Sequence, residues 1–266
     1  MIPLAAALTG AVGAMSAIMA GAWRVQRITG NSGWIDTIWS LGTGAVAFSV
    51  ALLPIAHDGA PDWRQAAAAA CAACWSLRLG LHIGGRTQKV ADDPRYRAKL
   101  DAWGDKAASR LFWFLQAQAL VGLILVAAVA LAAHRRQAEF GALDGLALLV
   151  FALGLGCETL ADAQLRRFKH SSPPHGAVCD VGLWSWSRHP NYFGEWLCWC
   201  GVALLAIGTG NPAGWLALLA PAVMYWTLVH ASGIPPLEAH MMQSRPQAFA
   251  AYKRRTSAFF PLPPKR

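Results

Sequence analysis

The chain has 266 residues, of which 55% are hydrophobic and only 14% are charged. Ordinary soluble domains carry about 25% charged residues, so this composition argues against a soluble domain and indicates a polytopic membrane protein surrounded by membrane lipids. The net charge of +9 could reflect nucleic-acid binding, but basic loops on one side of a membrane explain it more simply. We therefore expect no nucleic-acid partner, and nothing in the sequence indicates an obligate protein partner.

Apolar segments long enough to cross a membrane, about 20 residues each, recur along the whole chain. The seven predicted spans are residues 3–23, 34–56, 64–84, 111–133, 143–164, 191–209 and 212–231. Unpaired backbone groups are costly in lipid, so each span is expected to be helical. The sequence thus predicts an all-α membrane bundle formed by one domain over residues 1–266. The first span has no basic region before it, and we interpret it as a retained helix rather than a signal peptide.

The basic residues of the loops predict the orientation of this bundle. Lys and Arg are concentrated after the first, third and fifth predicted spans and in the C-terminal tail. The loops on the other side contain Arg64, Arg135 and Arg136. Because basic loops stay in the cytosol, we expect the N-terminus outside and the C-terminus in the cytosol.

The loop at residues 85–110 is predicted to contain a short surface helix that begins after Pro94. Tyr96, Leu100 and Trp103 are four and three residues apart, which places them on one helical face.

The cysteines do not form a pattern typical of disulfides or metal sites. Cys71, for example, lies within an apolar run. There a cysteine acts as a small hydrophobic residue, and without matched Cys/His pairs we expect no metal site.

Ionisable residues within predicted spans are costly and indicate function. They are Asp36, Arg78, His82, Glu158, Asp162, Glu195 and His230. In the predicted orientation nearly all of them lie in the cytosolic halves of their spans, as expected for a polar cavity open to the cytosol. Asp36, Arg78 and His82 are the candidate catalytic residues. For His82 and His230, hydrogen bonding within the bundle is an alternative, and Glu158 could equally form a structural pair.

The densest polar cluster precedes the sixth predicted span. It consists of Arg188, His189, Asn191, Tyr192 and Glu195. Helix N-termini favour anions and arginine binds phosphate through two hydrogen bonds.

A second polar stretch lies at the end of the fifth predicted span, where Asp162 and Arg166 share a helix face. Arg166 and Lys169, together with Arg188 and His189, are therefore predicted to bind phosphates. Asp162, Asn191 and Glu195 are predicted to bind ribose hydroxyls or an amide. For Arg167, anchoring among lipid headgroups is the simpler interpretation.

Several motifs resemble the steroid 5-alpha-reductase-like membrane family, and its bacterial branch most closely. They are ADAQLRRFK at 161–169, GLWSWSRHPNYFGEW at 182–196, SGIPPLE at 232–238 and AAYKRRTSAFFPLPP at 250–264. WIDTIWSLG at 34–42, WSLRLGLHIGGR at 75–86 and DDPRYRAKL at 92–100 are similar to the same branch. The resemblance implies seven helices in a bacterial inner membrane, and NADPH bound from the cytosol.

The implied reaction is reduction of a carbon–carbon double bond conjugated to a ketone in a lipid-like substrate. The implied cofactor contacts are Asp162, Arg166, Lys169, Asn191 and Glu195, with Tyr252 and Arg255 closing over the cofactor. In the family a Glu on the second helix and a Tyr on the third hold the substrate ketone; this chain has Asp36 in the second span and no Tyr in the third. A membrane methyltransferase that uses S-adenosylmethionine shares the Arg-His-Pro motif and is the alternative, followed by a non-catalytic lipid-binding protein.

Overall fold

The computed structural model describes residues 3–55, 60–135, 139–174, 176–208 and 211–265. Every secondary-structure element in these ranges is a helix, which confirms the predicted all-α class for the described part of the chain. In chain order they are α1 (Leu4–Thr29), α2 (Gly33–Leu52), α3 (Trp63–Thr87), α4 (Pro94–Trp103), α5 (Ala107–Ala133), α6 (Ala142–His170), α7 (Leu183–Trp186), α8 (Pro190–Ala206), α9 (Leu219–Trp226), α10 (Ile234–Ser244) and α11 (Pro246–Arg255). A 3₁₀ segment, Pro212–Leu218, precedes α9, and a π-helical turn, Thr227–Ala231, follows it.

Within the described ranges, six helical segments are long and apolar enough to cross a membrane, consistent with an integral membrane protein. They are α1, α2, α3, Pro94–Ala133, α6 and Pro212–Ser244. The sixth predicted span corresponds to α8, which has 17 residues. A helix of that length covers about 25 Å of a hydrocarbon core that is about 30 Å thick. The predicted span ends at residues 56 and 209 lie outside the described residues.

The chain divides into two compact units, Met1–Ala147 with Val202–Ala220, and Leu148–Gly201 with Pro221–Arg266. In the first unit α2 packs against α1, α3 and α5. Gly44 lets α2 approach α3 closely, because a Cβ at this position would lie 2.0 Å from the Cβ of Ser76. Ser76 in turn donates a hydrogen bond to the Ser40 carbonyl at 3.0 Å. Small and polar residues commonly make such contacts between membrane helices.

The predicted surface helix after Pro94 is present as α4. The Asp93 carboxylate accepts a hydrogen bond at 2.9 Å from the backbone N–H two residues on, and Pro94 occupies the first turn. Both residue types favour a helix start at these positions. Tyr96 is buried, and Leu100 and Trp103 pack against the same apolar core. The prediction that these three side chains share one face is therefore confirmed.

In the second unit the last residues form an extended C-terminal strap, residues 256–265, alongside the segment that precedes α8. The Arg188 backbone N–H donates to the Ser257 carbonyl at 2.8 Å, and the Leu262 N–H donates to the Trp186 carbonyl at 3.0 Å. Phe259 is buried, and its ring lies edge-on to Phe193 with centroids 5.8 Å apart. Backbone pairing and aromatic packing together fix the strap against this unit.

Candidate functional site

The helices α6 and α8 approach each other closely in the second unit at two glycines. A Cβ on Gly154 would lie 2.7 Å from the Gly194 carbonyl oxygen, and a Cβ on Gly194 would lie 2.6 Å from the Glu158 backbone nitrogen. Such small residues let membrane helices pack backbone against backbone. Residues four apart share a helix face, so the same contact turns Glu158 and Asp162 toward α8.

A group of carboxylates and an amide is formed along this contact. Asn191 Nδ2 donates a hydrogen bond to Asp162 Oδ1 at 3.2 Å. Glu158, Asp162 and Glu195 are only 2%, 4% and 6% exposed. Carboxylates are rare within apolar spans unless they bind a ligand or pair with other polar groups of the protein. The structure therefore brings together Asp162 and Asn191, which the sequence had placed on separate helices.

The cations at the C-terminal end of α6 have a different environment. Arg166, Arg167 and Lys169 are all exposed. Positive charge near a helix C-terminus interacts favourably with the helix dipole. Their exposure leaves Arg166 and Lys169, two of the predicted phosphate ligands, accessible to an anionic group from the solvent.

Arg188, the third predicted phosphate ligand, is buried in a charged group around one carboxylate. We call this group the Glu238 cluster; it consists of Arg188, His189, Glu238 and Lys253. Glu238 Oε1 lies 2.7 Å from Arg188 Nε and 3.2 Å from His189 Nε2, and its Oε2 lies 3.1 Å from Lys253 Nζ. The arginine side chain is 9% exposed. Its charge is thus bound within the fold.

His189 is held in one protonation state by its surroundings. Burial lowers the pKa of its imidazole below the ordinary value, and the nearby Arg188 charge lowers this pKa as well. The Glu238 carboxylate acts in the opposite direction and raises it. An ionised carboxylate can only accept hydrogen bonds, so His189 Nε2 carries the proton that it shares with Glu238. One face of the ring stacks on Tyr192, with centroids 5.5 Å apart and planes 12° from parallel.

Tyr252 and Arg255, the predicted tail residues of the site, contact the segment before α8. The Tyr252 hydroxyl donates to the Trp184 carbonyl at 2.5 Å and the side chain is 3% exposed. Burial raises the pKa of this phenol, so it is neutral at physiological pH. Arg255 forms an ion pair with Asp180 at a more exposed position. Both residues therefore link α11 to residues 180–184.

In the first unit Asp36 lies at the centre of another polar group, the Asp36 cluster, which consists of Asp36, Arg95, Tyr96 and Gln118. The Tyr96 hydroxyl donates to Asp36 Oδ1 at 2.7 Å, and Arg95 Nη2 donates to Asp36 Oδ2 at 2.6 Å. Gln118 Nε2 donates to the tyrosine oxygen at 3.1 Å. Tyr96 is 5% exposed, whereas the Asp36 side chain is 22% exposed. A buried phenol is thereby connected to a carboxylate that is accessible to solvent.

Arg78 and His82, the other catalytic candidates, are half-buried on successive turns of α3. Trp75, one turn before Arg78, is buried and meets Trp39 edge-on with ring centroids 6.0 Å apart. The structure thus places an aromatic pair on the same stretch of α3 as the two candidates.

A protein-family model described as a protein of unknown function, DUF1295, matches residues 22–256. The chain belongs to the DUF1295 family. No curated protein matches the chain, and no solved structure matches it either. The matched range of this DUF1295 protein includes both the Asp36 cluster and the Glu238 cluster.

The sequence analysis predicted no site role for five residues of the two clusters of this DUF1295 protein: Arg95, Tyr96, Gln118, Glu238 and Lys253. Tyr96 and Glu238 lie within motifs that carried the family resemblance, but no local spacing connects them to their partners. Tyr96 is 60 residues from Asp36, and Glu238 is 50 residues from Arg188. A glutamine within the apolar α5 and a glutamate after two prolines were the signals that could have drawn attention to these positions.

Proposed function

We propose that the protein is a membrane reductase that uses NADPH to reduce the carbon–carbon double bond conjugated to a carbonyl in an apolar, lipid-like molecule. The carrying observation is the Tyr96 hydroxyl, which is buried in an apolar core and hydrogen-bonded to Asp36 and Gln118. A phenol in such a position can turn to donate to a carbonyl oxygen and so stabilise the negative charge that develops on that oxygen. The resemblance to the steroid 5-alpha-reductase-like family supports the same class of reaction.

The donors and acceptors of the second unit fit the chemistry of NADPH. Asp162, Asn191 and Glu195 supply partners for ribose hydroxyls and for the nicotinamide amide. The exposed Arg166 and Lys169 supply positive charge for phosphates. S-Adenosylmethionine has no phosphate, so the two cations favour NADPH over the cofactor of a methyltransferase.

NADPH, when bound, supplies a hydride to the carbon beta to the substrate carbonyl. The Tyr96 hydroxyl would donate a hydrogen bond to the carbonyl oxygen as the electrons of the double bond move onto it. Asp36 keeps a partner when Tyr96 turns to the substrate, because Arg95 remains 2.6 Å from its second oxygen. A proton added at the alpha carbon completes the reduction. Arg78 and His82 stay candidates for further donors on α3.

We also propose that α8 crosses the membrane as well, which brings the number of spans to seven, and that the C-terminus lies in the cytosol. The loops and helix ends within residues 86–110, 166–188 and 245–266 carry 17 of the 23 Lys and Arg residues. Such loops remain on the cytosolic side of a membrane. A cytosolic position for the end of α6 would give a soluble nucleotide access to Arg166 and Lys169.

The nucleotide that the purified protein retains in detergent tests this proposal. Mass spectrometry should detect NADP(H), and added NADPH should raise the unfolding temperature. Asn191→Ala and Glu195→Ala should abolish NADPH binding while the helix content stays unchanged. Asn211→Ala and Glu139→Ala are the matched controls, because both residues lie in the first unit, and they should bind NADPH normally. Retention of S-adenosylmethionine without NADP(H) would exclude the reductase.

The tyrosine assignment has a separate test, which uses a panel of apolar enones and follows NADPH oxidation. Tyr96→Phe should lower the rate on the order of a hundredfold, the usual effect of removing one such donor, and leave the NADPH dissociation constant unchanged. Tyr225→Phe is the matched control, since the Tyr225 ring packs against Phe259 and Phe260. Equal rates for Tyr96→Phe and the wild type would assign the donor elsewhere.

A further inference from the structure

Three cationic or proton-donating side chains converge on the single carboxylate of Glu238. Arg188 and His189 share its Oε1, and Lys253 binds its Oε2. The glutamate side chain is 11% exposed and Arg188 is 9% exposed, whereas Lys253 is 42% exposed. The inner part of this cluster is therefore shielded from solvent, and its geometry is set by protein atoms.

The remaining hydrogen bonds of Arg188 go to the end of the chain. Its Nη1 donates to the Thr256 carbonyl at 2.5 Å and makes a longer contact, 3.5 Å, with the Lys253 carbonyl. Its backbone N–H donates to the Ser257 carbonyl. Arg188 thus uses both its side chain and its backbone to hold the C-terminal strap.

The residues that follow Arg188 are oriented by the same cluster. Glu238 fixes the ring of His189 through Nε2, and this ring stacks on Tyr192. The His189 backbone N–H donates to Ser187 Oγ at 3.1 Å, and Ser187 Oγ donates to the Phe259 carbonyl at 2.8 Å. Asn191, which donates a hydrogen bond to Asp162, follows His189 by two residues. Its position therefore depends on a segment that is held from the strap side.

We propose that Glu238 is a positioning residue for the cofactor segment, and that Arg188 fastens the C-terminal strap instead of binding a phosphate. This inference rests on the proposed function, since it concerns how the NADPH site is held. In this proposed arrangement the exposed Arg166 and Lys169 bind the phosphates. Arg188 and Glu238 set the orientation of His189, Tyr192 and Asn191.

An arginine that binds the 2′-phosphate can be distinguished from one that positions other residues by comparing the affinities for NADPH and for NADH, which lacks this phosphate. Glu238→Gln and Arg188→Lys should weaken the binding of both nucleotides by at least about tenfold, by analogy with the loss of the partners that orient metal ligands, and leave the ratio of the two affinities unchanged. Arg166→Gln or Lys169→Gln should instead lower the affinity for NADPH more than for NADH. Glu139→Gln and Arg254→Lys, both at exposed positions, are the matched controls and should bind as the wild type does.

A measurement on His189 detects the positioning role even if the variants are less stable. In ¹⁵N-histidine NMR spectra of the wild type, Nδ1 of His189 should resonate as an unprotonated nitrogen and Nε2 as a protonated one. Glu238→Gln should redistribute the proton between the two nitrogens, whereas Glu139→Gln should not.

Two outcomes would overturn the inference. One is an Arg188→Lys variant that loses NADPH affinity but keeps NADH affinity, because Arg188 would then bind the phosphate. The other is a His189 spectrum that Glu238→Gln leaves unchanged. If the wild type binds neither nucleotide, the proposed function is wrong, and the histidine spectrum still decides whether Glu238 orients His189.

Discussion

Arg64 and Asp144 form a buried ion pair with two parallel hydrogen bonds in the first unit. Arg64 Nη1 lies 2.8 Å from Asp144 Oδ1, and Nη2 lies 3.0 Å from Oδ2. The two side chains are 0% and 1% exposed. Arg135 binds the same carboxylate at 3.1 Å, and both arginines donate to the Leu205 carbonyl at 3.3 Å. One carboxylate thus compensates two buried positive charges.

Asp144→Asn should destabilise the protein strongly. It removes the negative charge that both buried guanidinium groups bind, and breaking a buried pair from one side typically costs about 3–5 kcal/mol. Asp180→Asn is the matched control, since Asp180 also pairs with an arginine but at an exposed position, where such pairs contribute about 0–1 kcal/mol. Unfolding in mixed micelles with increasing denaturing detergent measures both. Equal losses of stability in the two variants would show that the buried ion pair contributes no more to stability than the exposed one.

The contact between α6 and α8 predicts opposite results for two glycines of one helix. Gly154→Ala puts a Cβ 2.7 Å from backbone atoms of α8, which cannot move as a side chain can, and overpacking costs about 1–3 kcal/mol. Gly156→Ala meets nothing within 4 Å and should be neutral or stabilising by up to about 1 kcal/mol, because alanine favours the helix. Comparing their unfolding free energies tests the contact. A destabilised Gly156→Ala with a normal Gly154→Ala would contradict it.

The helices and their polar faces were largely predictable from the sequence, because they depend on residues close together in the chain. The apolar runs predicted the long helices, and the spacing of Tyr96, Leu100 and Trp103 predicted the buried face of α4. The positions of Arg64 and Glu238 were not predictable in this way. Arg64 looked like a loop charge, yet it lies in the first turn of α3 beside a carboxylate 80 residues away.

The surroundings of the polar residues were predictable only in part for the same reason. The sequence grouped Arg188 with Arg166 and Lys169 as phosphate ligands because all three are basic and lie near polar residues. Burial separates them: Arg188 is enclosed by Glu238 and the strap, whereas the other two are exposed. Which charges are enclosed depends on tertiary packing, which neighbouring residues do not encode.

The buried His189 should make stability depend on pH. Burial lowers its pKa in the folded protein, so below the unfolded value of about 6.5 the unfolded chain binds more protons than the folded one. Stability contributed by the neutral ring is therefore present above about pH 6.5 and is lost as the pH falls below it. Thermal unfolding between pH 8 and pH 5 should show this decrease. His189→Gln should weaken it, whereas the exposed His240→Gln should not; equal slopes in both variants would refute the assignment.

The orientation that the basic residues predict can be tested directly. Two basic residues of the loops opposite the basic side, Arg64 and Arg135, are bound to Asp144 within the fold, and Arg136 lies outside the described residues. The positive-inside rule predicts that the side with more Lys and Arg residues faces the cytosol. A green fluorescent protein fused after the C-terminus should fluoresce, and alkaline phosphatase fused there should be inactive. Alkaline phosphatase inserted into the loop after α5 is the matched control and should be active. The reverse pattern would place the strap and the cations of α6 on the outside, where a cytosolic nucleotide could not reach them.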